Sequence, residues 1–439
     1  MGSDFKKKTI QLLLIALTGF GISAPFVVAQ TPEFPPTVFA KSSPEEVALG
    51  RFLFFDPIIS GNQNIACATC HHPRFGTSDG VSLALGDGGI GLGPDRRVDP
   101  ENLPEQRIGR NAPALFNLGA KEFTSLFHDG RLEADSSRPS GIRTPLEDEM
   151  VAGFSGVLSA QAMFPVLSGD EMAGHYSEND VSKAVRVGFL AQPGGAWDII
   201  ATRVAGIPEY RNMFTSVVGP RQIRFTDISN AIAAFIAFEW RSDDSPFDRH
   251  LDGATLSKSA TRGMELFYGN AGCSACHSGR FQTDHGFHAI AMPQIGPGKA
   301  ARFENHHRDV GRIRVTGQAA DVYKFRTPSL RNITLSAPYG HSGAYATLDA
   351  VVRHHLDPVA SLMAYDRTQA TLPKLVGASD WAVLDSPAEM ARIADANELE
   401  PVQLSDVEIG QIIQFLNALT DDKARLGVPT TVPSGLPVD

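Results

Sequence analysis

The chain has 439 residues, 42% of them hydrophobic and 20% charged, which is the balance of an ordinary globular protein with room for two or three domains. Its formal net charge of −10 argues against nucleic acid and anionic lipid as partners. Four cysteines in so long a chain exclude a disulfide-stapled scaffold.

The first residues read as a secretion signal spanning 1–29. Lys6, Lys7 and Lys8 supply a positive start and Ile10 to Val28 an apolar run. Val27-Val28-Ala29 offers small residues for cleavage before Gln30. A membrane anchor is the rival reading, but Thr18, Gly19, Gly21, Ser23 and Pro25 make a poor span. No other stretch is long and apolar enough, so the mature chain is expected in the periplasm with no membrane span. Loss of Lys6, Lys7, Lys8 and Asp4 with the signal lowers the charge by a further two, to about −12.

Beyond a Pro-rich leader, Ser43-Pro44-Glu45-Glu46 opens a helix as a capping box, and Val47, Leu49, Phe52 and Leu53 continue it. Cys67-Ala68-Thr69-Cys70-His71 follows, and Cys273-Ser274-Ala275-Cys276-His277 repeats it, so the two runs use every cysteine. In C-x-x-C-H two thiols add to the vinyl groups of a haem and the histidine binds its iron. Zinc would want both C-x-x-C pairs brought together and gives no reason for a histidine after each. A thioredoxin-like redox pair gives none either. The expectation is two covalently bound haems c.

Residues 79–100 read as a surface or lid loop. Gly86-Asp87-Gly88-Gly89-Ile90-Gly91 fits G-x-G-x-x-G in form, but no strand precedes it and Gly93-Pro94 stands where a helix should begin. Helices are predicted over Val181–Phe189, Ala196–Val204 and Ile228–Trp240. Ser242 to Gly253 is polar and marks a boundary, giving a haem domain over 30–250 and another over 251–439. Ser257 to Tyr268 is a helix leading into the second C-x-x-C-H, as the first helix led into the first, so the pattern is duplicated. Thr347–Leu356 and Ser405–Leu419 are further helices, the latter opened by Ser405-x-x-Glu408. The tail from Gly427 is Pro-rich and expected on the surface. The fold class is mainly α, with two cytochrome c-like haem domains in tandem.

The order of motifs resembles the bacterial dihaem cytochrome c peroxidase and MauG family, over roughly Glu46 to Thr420. The resemblance rests on Leu49-Gly50-Arg51-Phe52-Leu53-Phe54-Phe55-Asp56, Asn111-Ala112-Pro113-Ala114-Leu115-Phe116-Asn117, Asp129-Gly130-Arg131, Ser245-Pro246-Phe247-Asp248, Thr327-Pro328-Ser329-Leu330-Arg331-Asn332 and Ala337-Pro338-Tyr339-Gly340-His341-Ser342-Gly343. It implies that the N-terminal haem handles peroxide and the C-terminal haem relays or stores electrons. His71 and His277 are then proximal ligands. A catalytic glutamate stands in a Glu-Met context in the family, and Glu149 in Leu146-Glu147-Asp148-Glu149-Met150 matches it; a solvated acidic loop is the plain alternative. Residues 99–110 hold no histidine to block the first iron, which resembles the MauG-like subset.

Where the family has tryptophan between the haems, this chain has His128, which puts hole hopping there in doubt and suggests a propionate or water partner instead. The sixth ligand of the second haem falls fourteen positions beyond His341, at His355. Val351 and His355 share a helix face while His354 points elsewhere; Met363 and Met292 are the alternative ligands. His341 and Arg331 match propionate partners, and Asn111, Ser336 and Pro338 match a calcium site of mostly neutral oxygens. His285, His288, His306 and His307 lack the tight spacing of a further metal site.

The resemblance implies a periplasmic peroxidase that reduces hydrogen peroxide with electrons from a small donor protein, a cytochrome c or cupredoxin, and allows a homodimer, since family members often pair. The alternative is a MauG-like enzyme that uses peroxide to oxidise residues of a protein substrate. A plain electron carrier would need a sixth protein ligand on the first haem, and no residue offers itself.

Overall fold

A computed structural model describes residues 34, 37–300, 304–421 and 423–439. The signal-like segment 1–29 lies outside them. Helix α1 (Pro44–Phe55) begins where Ser43 accepts a hydrogen bond from the Glu46 N–H at 3.1 Å. The first haem-type run forms a single helical turn, α2 (Cys67–Cys70). Helices α3 (Ala196–Gly206), α4 (Pro208–Val218) and α5 (Phe225–Glu239) complete the first half. The reading above missed α4, whose polar sequence buries only Tyr210 and Phe214. The predicted helix at Val181–Phe189 runs from Asp180 to Arg186.

In the second half, α6 (Lys258–Tyr268) is capped by Ser257, α7 (Leu348–Leu356) by Thr347, α8 (Pro358–Met363) by Asp357, and α9 (Asp406–Ala418) by the Ser405 and Glu408 capping box. Strands are few and two or three residues long. They pair antiparallel as β1 (Gly89–Ile90) with β2 (Arg97–Val98), β3 (Ser125–Leu126) with β4 (Leu132–Ala134) and β5 (Ile142–Arg143), and β6 (Phe287–His288) with β7 (Phe325–Arg326).

The duplication seen in sequence has a packing counterpart. Gly50 lets α1 cross α5 so closely that an added Cβ would lie 1.8 Å from the Ala231 carbonyl oxygen. Gly263 does the same for α6 on α9, 1.8 Å from the Gln411 oxygen. Phe54 then meets Phe235 at 5.5 Å, and Phe267 meets Phe415 at 5.1 Å. Each haem-type run therefore follows a helix seated by a glycine and an aromatic pair. One apolar centre gathers α1, α3 and α5, and another gathers Phe247, α6 and α9.

Two expectations need correction. Residues 81–88 are buried, because Gly86 allows the backbone to approach Asp170 and the Arg96 guanidinium collects the carbonyls of Leu85, Gly86 and Gly91. The tail does not simply lie on the surface. Val432 is buried in the first apolar centre, Ser434 donates to Asp56 at 2.7 Å, and Thr69 beside the first cysteines donates to the Asp439 side chain at 2.6 Å. The last residues of the chain thus brace its N-terminal half. Among the described residues no helix is long and apolar enough to cross a membrane.

Candidate haem sites

At the first run, α2 ends on His71, whose N–H donates to the Cys67 carbonyl at 2.9 Å. The ring Nδ1–H donates to the Thr77 carbonyl at 2.9 Å, which sets the tautomer with Nε2 unprotonated, and the Pro113 backbone also acts on the ring. Burial pushes both thiols, Cys67 and Cys70, up to about 12, so they stand as neutral S–H groups.

The second run repeats this arrangement. His277 N–H donates to Cys273 at 2.9 Å, and its Nδ1–H donates to the Gln282 carbonyl at 3.1 Å. His355 on α7 donates its own Nδ1–H to the Val351 carbonyl at 2.8 Å, so its Nε2 is bare as well. The two ring centroids lie 6.2 Å apart, with the ring planes tilted by 59°. Two imidazoles that each hold one metal ion at about 2 Å from opposite sides have ring centres about that far apart. Neighbouring His354 cannot compete, because Tyr345 and Ile290 occupy both of its nitrogens. Met363 is exposed, and Met292 packs beside Gly340.

All four cysteines are free of disulfides. Arg331 Nε and His341 Nε2 are among the buried polar atoms without a partner. Free thiols, bare ring nitrogens and orphaned donors fit two covalently attached, carboxylate-bearing haems.

The seam between the halves holds the other candidates. His128 lies in the turn between β3 and β4. Its Nε2–H donates to the Asn111 carbonyl at 3.1 Å, and its carbonyl accepts from Arg326 N–H at 2.7 Å. Burial and the Arg110 guanidinium push His128 down to about 3, so it is neutral. Arg110 makes a paired bond to Asp309, at 2.6 and 2.8 Å, and an ion pair with Asp129 at 2.8 Å, all three side chains being buried. His341 stacks on Phe325 at 3.8 Å, and burial pushes it down to about 4. Arg331 is fully buried and spends its terminal nitrogens on Asp248 and Ser245, leaving only Nε for a further partner.

Asn111 bonds to the Val81 and Ser82 carbonyls, and Ser336 bonds to Ile333. Ala337-Pro338 is a cis peptide. Among the described residues no hydrogen bond joins Asn111, Ser336 and Pro338.

Glu149 lies exposed at the end of a short turn whose neighbours Glu147 and Asp148 pair with Arg138. Burial falls on Met150 instead. A second Asp-Glu-Met, Asp170-Glu171-Met172, lies in one π-helical turn, Gly169–Ala173. The charge of Glu171 raises the proton affinity of His71 and of Cys70, and it also acts on Arg131. Glu171 pairs with Lys299 at 3.5 Å and lines a cavity of about 230 Å³ with Gln106, Ile108 and Ser168. The sequence carried a signal for this residue, the repeated tripeptide, but nothing local to rank one copy above the other.

Two haem-attachment runs, each with an oriented histidine, define the class: a c-type protein with two haems. The family model for di-haem cytochrome c peroxidase matches residues 44–256. The methylamine utilization protein MauG of Methylorubrum extorquens is 31% identical over 88% of this chain and 81% of its own. The cytochrome c551 peroxidase of Nitrosomonas europaea is 27% identical over 78% of this chain and 82% of its own. A solved MauG-like protein associated with microbial copper homeostasis shares the fold, with a TM-score of 0.57 at 24% identity over 90% of this chain and 95% of that one. The chain belongs to the di-haem cytochrome c peroxidase and MauG family, and it is an oxidoreductase.

Proposed function

We propose that this protein reduces hydrogen peroxide at its first haem site, using electrons that enter from a small donor protein at the second. The observation that carries the reading is Glu171: its charge raises the proton affinity of His71, and its side chain lines a cavity of about 230 Å³ with Gln106 and Lys299. When bound, the first haem supplies an iron at which peroxide is cleaved. Glu171 takes the proton from the near oxygen and returns it to the far one, a role a carboxylate on that cavity wall can fill and exposed Glu149 cannot. Lys299 holds the carboxylate from one side. His71 is held by the Thr77 carbonyl as the proximal ligand.

On this reading, residues 30–250 and 251–439 are tandem haem domains, His277 and His355 hold the second iron, and residues 1–29 direct export to the periplasm. His128 sits between the sites as a neutral spacer rather than an electron relay. Calcium at Asn111, Ser336 and Pro338 remains part of the proposal, and the residual acidic charge suits a basic donor. The test is peroxide consumption by Glu171→Gln beside Glu149→Gln. Loss of ~10²–10⁴-fold in kcat/KM is expected for the first and none for the second. The reverse pattern would sink the assignment.

A second reading, MauG-like oxidation of a partner protein, is favoured by the absence of histidine from residues 99–110 and by the imidazole pair at the second site. Two imidazoles lower the potential relative to histidine with methionine, which eases oxidation of that haem. Peroxide turnover without added reduced cytochrome, coupled to oxidation of a protein substrate, would replace the first reading with this one.

A further inference from the structure

The chain presents two adjacent histidines on α7, and the structure gives them different work. His354 is fully buried, and both of its ring nitrogens are taken up by groups other than His277. Its Nε2–H donates to the Ile290 carbonyl at 2.8 Å, in the segment just after β6. That bond leaves Nδ1 of the neutral ring as an acceptor, so the Tyr345 hydroxyl at 2.9 Å must be the donor. With its proton committed, the Tyr345 oxygen accepts from the Ser361 hydroxyl on α8 at 2.7 Å. Tyr345 is itself held by paired backbone bonds with Tyr339, at 2.8 and 3.2 Å, and its ring lies 5.0 Å from that of His354.

We infer that Tyr345 and His354 form a clamp that positions His355 against His277. The inference rests on the proposed ligation by that pair. A helix residue can reach a fixed point across a 6.2 Å gap only if the helix is held against rotation about its axis. The Val351 carbonyl orients the His355 ring within α7 but says nothing about how α7 itself is turned. His354, one residue away and roughly 100° around the helix, is bonded at both nitrogens to groups outside α7, and so fixes that rotation. Tyr345 and His354 are positioning residues, since their polar atoms are spent on each other, Ile290 and Ser361.

The test is Tyr345→Phe in the dihaem protein. It keeps the ring in its apolar setting and removes only the hydroxyl, with His354→Gln as a second variant. Two readouts follow the second haem: the g-values of its low-spin EPR signal and the rate at which cyanide displaces a ligand from it. The clamp predicts shifted g-values and cyanide binding at least tenfold faster in both variants. Tyr365→Phe, which loses a bond to the Ala344 carbonyl beside the same cluster, should match the parent. Unchanged g-values and cyanide rate in Tyr345→Phe would overturn the clamp. His355→Ala separates the two claims. If the second low-spin signal survives that substitution, the ligand assignment fails and the clamp falls with it. If the signal is lost there while Tyr345→Phe behaves as the parent, only the clamp is wrong.

Discussion

The rings of His277 and His355 lie 6.2 Å apart, centre to centre, with both Nδ1–H groups turned back onto carbonyls of their own segments. Each is thereby left with a bare Nε2. His355→Ala is expected to turn the second haem from low-spin to high-spin in EPR while the first keeps its signal. His355→Met should restore a six-coordinate haem at a higher reduction potential, measured by spectroelectrochemistry, since thioether favours the ferrous state.

Arg110, paired with Asp129 in its own half, reaches Asp309 in the other, and that pairing holds the Asp309 carboxylate well below its ordinary range. Asp309→Ala leaves the guanidinium buried with half of its compensation gone. A loss of about 3–5 kcal/mol in denaturant unfolding is expected. Replacing Arg110, Asp129 and Asp309 together by apolar residues should cost less than that single change, because no charge is then stranded. Equal losses would argue against a desolvated triad.

Asp79 gives a pH signature. It is buried near Cys70, one oxygen accepts from Val81 N–H and the other has no partner, and burial pushes it from 3.8 up to about 7. Between those values the unfolded chain releases this proton and the native chain keeps it. The native state then binds more protons, so its contribution to stability falls as pH rises from about 4 to 7 and is level above. Asp79→Asn should flatten that slope and leave the protein more stable than the parent at pH 8, by an order of a few kcal/mol. A slope unchanged in thermal or denaturant unfolding would refute this.

Gly50 and Gly263 predict a matched pair. An added Cβ meets a carbonyl oxygen at 1.8 Å in both cases, so Gly50→Ala and Gly263→Ala should each destabilise by about 1–3 kcal/mol despite alanine's better helix propensity. The two should also differ in what they disturb, since Gly50 seats the helix before the first haem run and Gly263 the helix before the second. Haem-specific absorbance changes on unfolding would show which.

Much of this protein was legible along the chain because its chemistry is local. Two thiols and a histidine at C-x-x-C-H spacing meet one haem wherever they are placed, and helical periodicity brought out α1, α5, α6 and α9 and the sharing of a face by Val351 and His355. What the sequence alone could not decide were relations between distant residues. Asp-Glu-Met occurs at 148–150 and at 170–172, and only packing exposes Glu149 and lets the charge of Glu171 act on His71. Arg331 reads in sequence as a propionate partner, and only the fold sets Asp248 against it; Arg110 gives no hint of its two carboxylates. The glycines of residues 86–91 suggested a surface loop, whereas Gly86 lets the stretch 81–88 be buried. Covalent spacing and helix periodicity are written in neighbouring residues. Burial and charge pairing depend on which segments the fold brings together, and that is decided by the packing of the whole chain.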